Sequence, residues 1–129
     1  MRLLTLTTLL FGWCSQYDPG VMEDVVRVRQ AGRTAMNLSR NLPEVDGFVA
    51  LKSCADIGQI VLLRKLGETK WERFLVVDCA AGNDGTIEWM ERNNIIAEID
   101  GETAKRWDVV GRGFNVEMMR FKMVTALMN

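Results

Sequence analysis

Two aspartates hold positions from which carboxylate chemistry could be done. Asp18 follows Tyr17 in "GWCSQYDPG" (residues 12–20), and Asp78 closes the apolar run of "RFLVVDCAAG" (73–82). Cleavage of a glycosidic bond needs one carboxyl to protonate the leaving oxygen and a second, ionised, to activate water. An inverting arrangement sets them roughly 6.5–9.5 Å apart. Asp78, at the end of an apolar strand, suits the general acid because burial disfavours its charged form, and Asp18 would be the base. Lytic transglycosylation would need Asp78 alone. The competing reading is structural: Asp18 precedes Pro19-Gly20 because aspartate starts turns, and Asp78 bonds to loop amides.

Other chemistries fall away on composition. The chain has no histidine, which removes Ser-His-Asp and Cys-His nucleophilic systems and histidine zinc sites. Cys14 and Cys79 therefore lack the base that would make either a nucleophile. No metal-ligand spacing is present, "GRG" at 111–113 lacks the lysine and length of a phosphate loop, and no cofactor is expected. Sixteen basic residues against seventeen acidic give a net charge of −1. With no basic stripe, nucleic acid is not an expected partner. Indoles stack on sugar faces, so Trp13 and Tyr17 are the candidate ligand contacts. Trp89 and Trp107 fall on expected short helices where core packing is the commoner fate, and Trp71 sits near a turn.

Cys14, Cys54 and Cys79 allow three alternative single bridges with one thiol left over, or three reduced thiols in a cytosolic protein. Residues 1–11, "MRLLTLTTLLF", read either as a residual secretion signal or as a first strand, since Leu4 and Leu6 alternate with threonines; they are too short to span a bilayer. One domain is expected over residues 12–119, followed by a Met-rich tail, 120–129.

The elements that position these residues are mostly strands. In "VMEDVVRVRQAG" the β-branched content and the alternation of Val26 and Val28 with Arg27 and Arg29 favour a strand. "DGFVALKSC", residues 59–66, residues 71–77, "IIAEID" and "FNVEMMRFKMV" follow as strands, with "GETK" (67–70) as a hairpin turn and "AGNDG" as a further turn. Arg64, Lys65, Glu72 and Arg73 read as solvent-facing decoration of that hairpin. "TIEWMERNN" and "GETAKRW" are the two short helices, the second capped by Asp100. Short strands without long crossover helices favour a small barrel over a doubly wound sheet.

The order of "VVD" (76–78), "EID" (98–100), "ETAKRW" (102–107), "GRG" (111–113) and "NVEM" (115–118), after an opening "GWCSQYDPG" and "GRTA" (32–35), resembles the barwin, expansin and rare lipoprotein A group over residues 12–119. The resemblance implies a mainly β fold, a six-stranded double-psi β-barrel with two short helices. It also implies a secreted or cell-envelope location, a cytoplasmic barrel subunit being the alternative. Members of the group bind or cleave cell-wall glycans. This chain departs from the lytic members, which carry a groove histidine, and has a cysteine after Asp78 where they have an arginine. A related cellulase family uses two aspartates, which Asp18 and Asp78 match most nearly. The expected function is therefore a module that binds polysaccharide or protein without turnover, with glycan cleavage by Asp78 and Asp18 as the alternative. A monomer is expected, with self-association through the tail as a further option.

Overall fold

The computed structural model describes residues 2–80 and 84–126, with side chains for 2–80 and 85–121. Six strands, β1 (Arg2–Gln16), β2 (Gly47–Leu51), β3 (Ile60–Lys65), β4 (Glu72–Cys79), β5 (Ile95–Ile99) and β6 (Phe114–Ala126), close into one barrel in the order β1-β5-β2-β4-β3-β6. Three short helices, α1 (Val21–Gln30), α2 (Asp84–Arg92) and α3 (Gly101–Arg106), and a 3-10 turn at Cys54–Asp56 connect them. The sheet is mixed: β1 runs parallel to β5 and β2 to β4, while the other four pairings are antiparallel. The expected barrel class and the count of six strands stand, but β1 takes the place of the strand expected in residues 21–30, which is a helix, so there is one helix more than the two anticipated. Of the turn expected at "AGNDG" (81–85), residues 81–83 lie outside the described residues and Asp84 and Gly85 begin α2; residues 127–129 of the tail lie outside as well.

Alternation along each strand divides the core in two. Cys14, Val49, Leu51, Phe74, Val76, Ala97, Ile99, Val116 and Met118 fill the barrel interior. Their neighbours Ala50, Leu75 and Val77 pack outside it, beneath Met22 and Val26 of α1. One end of the interior is closed by Trp107, edge-on to both Phe74 and Phe114 with ring centroids 5.6 and 6.0 Å away. Its indole N–H donates to Glu72 Oε2 at 2.6 Å, and Glu72 also pairs with Arg106. Glu72 is thus buried, not solvent-facing as the hairpin pattern suggested: an indole nitrogen taken inside needs an acceptor.

Residues 21–30 correct the strand expected there. Gly20 takes a left-handed conformation (φ 86°) that turns the chain into α1. Glu23 and Asp24 lie in its first turn and Arg27 and Arg29 in its last, each favourable to the helix dipole. Met22 and Val26, four apart, are its buried face. The period of burial outweighed β-branched propensity.

Asp100 caps α3 as expected, accepting from the Thr103 amide, and its other oxygen accepts from the Phe48 amide and the Thr103 hydroxyl. Gly101 is required beside it: a Cβ there would lie 2.6 Å from the Pro19 nitrogen, so the Asp18–Pro19 turn rests directly on the start of α3. Residues 2–11 form strand continuous with the rest of β1, pairing with β6 in register from Arg2↔Ala126 to Cys14↔Phe114. No helix among the described residues is long and apolar enough to cross a membrane.

Candidate functional site

The chemistry-bearing residues gather on the outer surface of β4, β2, β5 and β1, beside α1. Strict alternation would send Asp78 into the barrel with Phe74 and Val76. A register slip prevents this: Val49 pairs with Val76 but the next residue, Ala50, pairs with Asp78. A bulge re-aims a side chain in this way. The Asp78 carboxylate accepts from the Tyr17 hydroxyl at 2.8 Å and from the Arg29 guanidinium at 2.9 Å. Arg29, one turn beyond Val26 on the inner side of α1, also donates to the Met36 carbonyl. Among the described residues, the partners of the Asp78 carboxylate are the side chains of Tyr17, just beyond β1, and of Arg29 on α1.

A second carboxylate stands close by. Ala50 is opposite Asp78 on one side and opposite Glu98 on the other. Two strand spacings put the Cα atoms of Asp78 and Glu98 roughly 10 Å apart across the methyl group of Ala50. Glu98 in turn faces Ser15 of β1. Burial pushes the Glu98 carboxyl upward, the neighbouring Asp78 charge adds to the shift, and Ser15 opposes it. Tyr17 is raised for a like reason: burial first, then its hydrogen bond to Asp78 and that carboxylate's charge.

Asp18 occupies a different place. It is exposed, its carbonyl accepts from the Val21 amide, and it lines a cleft of about 370 Å³ with Ser15, Gln16, Tyr17, Gly101 and Arg112. The Gln16 side chain anchors the far wall of that cleft, donating to the Val109 and Arg112 carbonyls and accepting from the Gly111 amide. A second cleft of about 470 Å³ adjoins it, lined by Trp13, Ser15, Trp89, Asn93, Ile95 and Gly113. Ser15 and Gly113 belong to both, so the two clefts lie side by side along β1 against the 110–113 loop, a surface called the groove below. Trp13 and Trp89 are 44% and 45% exposed in it. Trp89 thus corrects the expectation of core packing, which Trp107 fulfils. Trp71 lies half-buried under the Arg64 guanidinium, 4.1 Å from its ring centre.

Of the cysteines, Cys54 and Cys79 form the disulfide, with Cα atoms 4.9 Å apart, and Cys14 is a buried free thiol in the interior. Burial pushes the Cys14 thiol up, which makes it a poor nucleophile. The bridge ties the residue after Asp78 to the 3-10 turn. No group of acidic, cysteine or histidine side chains among the described residues is arranged to hold a metal ion.

Tyr17 and Asp78 are brought together, and Trp13, Tyr17 and Asp18 share the groove. Arg29, Glu98 and Trp89 were missed as site residues. Arg29 was legible once α1 is a helix, since it lies seven residues after Met22 on the same side. Glu98 carried only the signal of an outward position on a strand; that β5 lies one strand from β4 is a fact of topology. Comparison with protein-family models and with curated proteins finds no match for this chain.

Proposed function

We propose that the protein is an extracytoplasmic module that binds an extended glycan along β1. The observation that carries this is the groove itself, with half-exposed Trp13 and Trp89 at one end and Tyr17, Asp18 and Arg112 at the other. Indoles supply apolar area for sugar faces, and the polar end supplies hydrogen bonds for hydroxyl groups. The two parallel strand pairs in the closed barrel and the Cys54–Cys79 bridge support membership of the double-psi β-barrel group and an oxidising compartment.

A second reading, glycan cleavage, is favoured by the Asp78–Glu98 pair. In it Glu98, raised by burial, donates the proton and Asp78, held by Arg29, activates water. This exchanges the role expected of Asp78 and leaves Asp18 as a substrate contact, whereas the original pairing keeps Asp78 as acid and Asp18 as base.

One set of measurements tests both. Titration of soluble β-glucan and peptidoglycan fragments, followed by tryptophan fluorescence and calorimetry, should give saturable binding. Trp13→Ala and Trp89→Ala should each weaken it about tenfold, since a well-packed aromatic contact is worth on the order of 1 kcal/mol or more. Binding unchanged in both variants would remove the groove from consideration. Product analysis on the same glycans separates the rest. No turnover leaves a binding module. Turnover abolished in Glu98→Gln and Asp78→Asn but kept in Asp18→Asn assigns the new pair, and loss in Asp18→Asn restores the original one.

A further inference from the structure

We propose that Asn37 is an acceptor for an N-linked oligosaccharide. It begins Asn37-Leu38-Ser39, and no other asparagine of the sequence is followed two residues on by serine or threonine. A hydroxyl at that position, with a middle residue other than proline, is what transfer of a sugar to an asparagine amide requires. Asn41, in the same loop and exposed as well, has Pro43 there instead. Modification at Asn37 rests on the extracytoplasmic location proposed above and is independent of what the groove binds.

The fold presents this motif as an acceptor must be presented. Between α1 and β2 the chain is surface loop. Asn37 and Ser39 are both exposed there, and Leu38 between them turns inward to the apolar cluster of Met22 and Val26. The Leu38 amide donates to the Arg29 carbonyl, and the Gln30 side chain donates to the carbonyls of Ser39 and Arg40, so the motif is pinned to the end of α1. A backbone donor fixes the Asn37 side chain: its Oδ1 accepts from the Thr34 amide at 3.2 Å, and the Thr34 hydroxyl lies 2.9 Å from the same oxygen. An amide N–H can meet only the oxygen, so Nδ2 is the atom turned away from Thr34. Among the described residues Nδ2 has no hydrogen-bond partner.

The sugar comes from a polyprenyl-diphosphate oligosaccharide through an extracytoplasmic transferase. The bond between the anomeric carbon and the diphosphate oxygen breaks, and the diphosphate leaves with its electron pair. A bond from the same carbon to Nδ2 forms, and Nδ2 gives up one proton. Oδ1 is untouched, so its contacts with Thr34 survive the modification. Leu38 is drawn into the apolar cluster only when the loop closes on α1, so transfer belongs to the stage before this part of the chain has packed. No residue of the loop at 31–45 lines either cleft of the groove, so the sugar is attached outside its walls. Compartments oxidising enough to form the Cys54–Cys79 bridge include those the chain would cross to meet such a transferase.

Expression of the full chain behind a cleavable secretion leader in a eukaryotic cell line, with mass spectrometry of the product from cells and medium together, gives the readout. The peptide that contains Asn37 should carry an oligosaccharide removable by peptide N-glycosidase. Asn37→Gln and Ser39→Ala should each abolish it, Ser39→Thr should keep it, and Asn41→Gln should change nothing. Ser39→Ala gives up one exposed contact, from the Asn41 amide to the Ser39 hydroxyl, so its thermal unfolding midpoint should stay close to that of the parent and loss of the sugar is not a folding defect. Parent chain recovered with residue 37 bare overturns the proposal, and a formed Cys54–Cys79 bridge in that same product leaves the proposed location standing. A sugar that persists in Asn37→Gln or in Ser39→Ala overturns it as well.

Discussion

At the scale of single residues, the Tyr17–Asp78–Arg29 contact joins the groove to the helix, and it is open to direct observation. Tyr17 is the chain's only tyrosine, so absorbance titration of phenolate reports it alone. Ionisation should begin well above the ordinary tyrosine range near pH ~10, because burial, then Asp78, hold the proton on. Asp78→Asn should move the transition part of the way down, leaving the share due to burial; no movement would mean that the hydroxyl does not face the carboxylate. Glu98 gives the matching test in acid. Its raised folded-state value means that the native chain holds the proton more tightly than the unfolded chain. Stability from this group is then fully present below the ordinary glutamate value near ~4.3 and is lost as pH rises through the folded value. Glu98→Gln should be more stable than the parent at neutral pH, the difference vanishing below about pH 4; a constant difference across denaturation curves at pH 4 and pH 7 would rule out that environment for Glu98.

At the scale of elements, a cross-link and a bulge hold the end of β4. The disulfide closes a loop with a sequence separation of 25, for which chain entropy suggests about 3 kcal/mol of stability. Cys54→Ser/Cys79→Ser should lower the denaturation midpoint accordingly, with Cys14 remaining unreactive to thiol reagents until the chain unfolds; a negligible change would deny the bridge a structural role. Strands and turns were legible from alternation and glycine placement, and the Asp100 cap from its position before α3. The first helix was not, because Val21, Val25, Val26 and Val28 satisfy both periods and only the left-handed Gly20 and the Met22–Val26 burial decide between them. Nor was the carboxylate pair, since Glu98 comes near Asp78 through β2, a strand distant from both in sequence. The inward direction that alternation assigns to Asp78 is reversed by a one-residue slip that nothing in "RFLVVDC" announces.

At the scale of the molecule, one strand serves two parts of the barrel: residues 13–16 of β1, with Tyr17 and Asp18 just beyond its end, line the groove, and residues 2–12 pair with β6. The strand order has a separate consequence. Among the described strands only β3 and β4 are neighbours both in sequence and in the sheet; β1 finds its partners in β5 and β6, the last two strands of the barrel. Loop-closure entropy must be overcome before such distant pairings are rewarded, so folding belongs on the millisecond-to-second side of the range for small domains. During synthesis β1, uncharged from Leu3 to Gln16, has no strand of the barrel to pair against until β5 and β6 have followed it from the ribosome. That long uncharged strand is thus the segment most in need of a chaperone before the barrel closes.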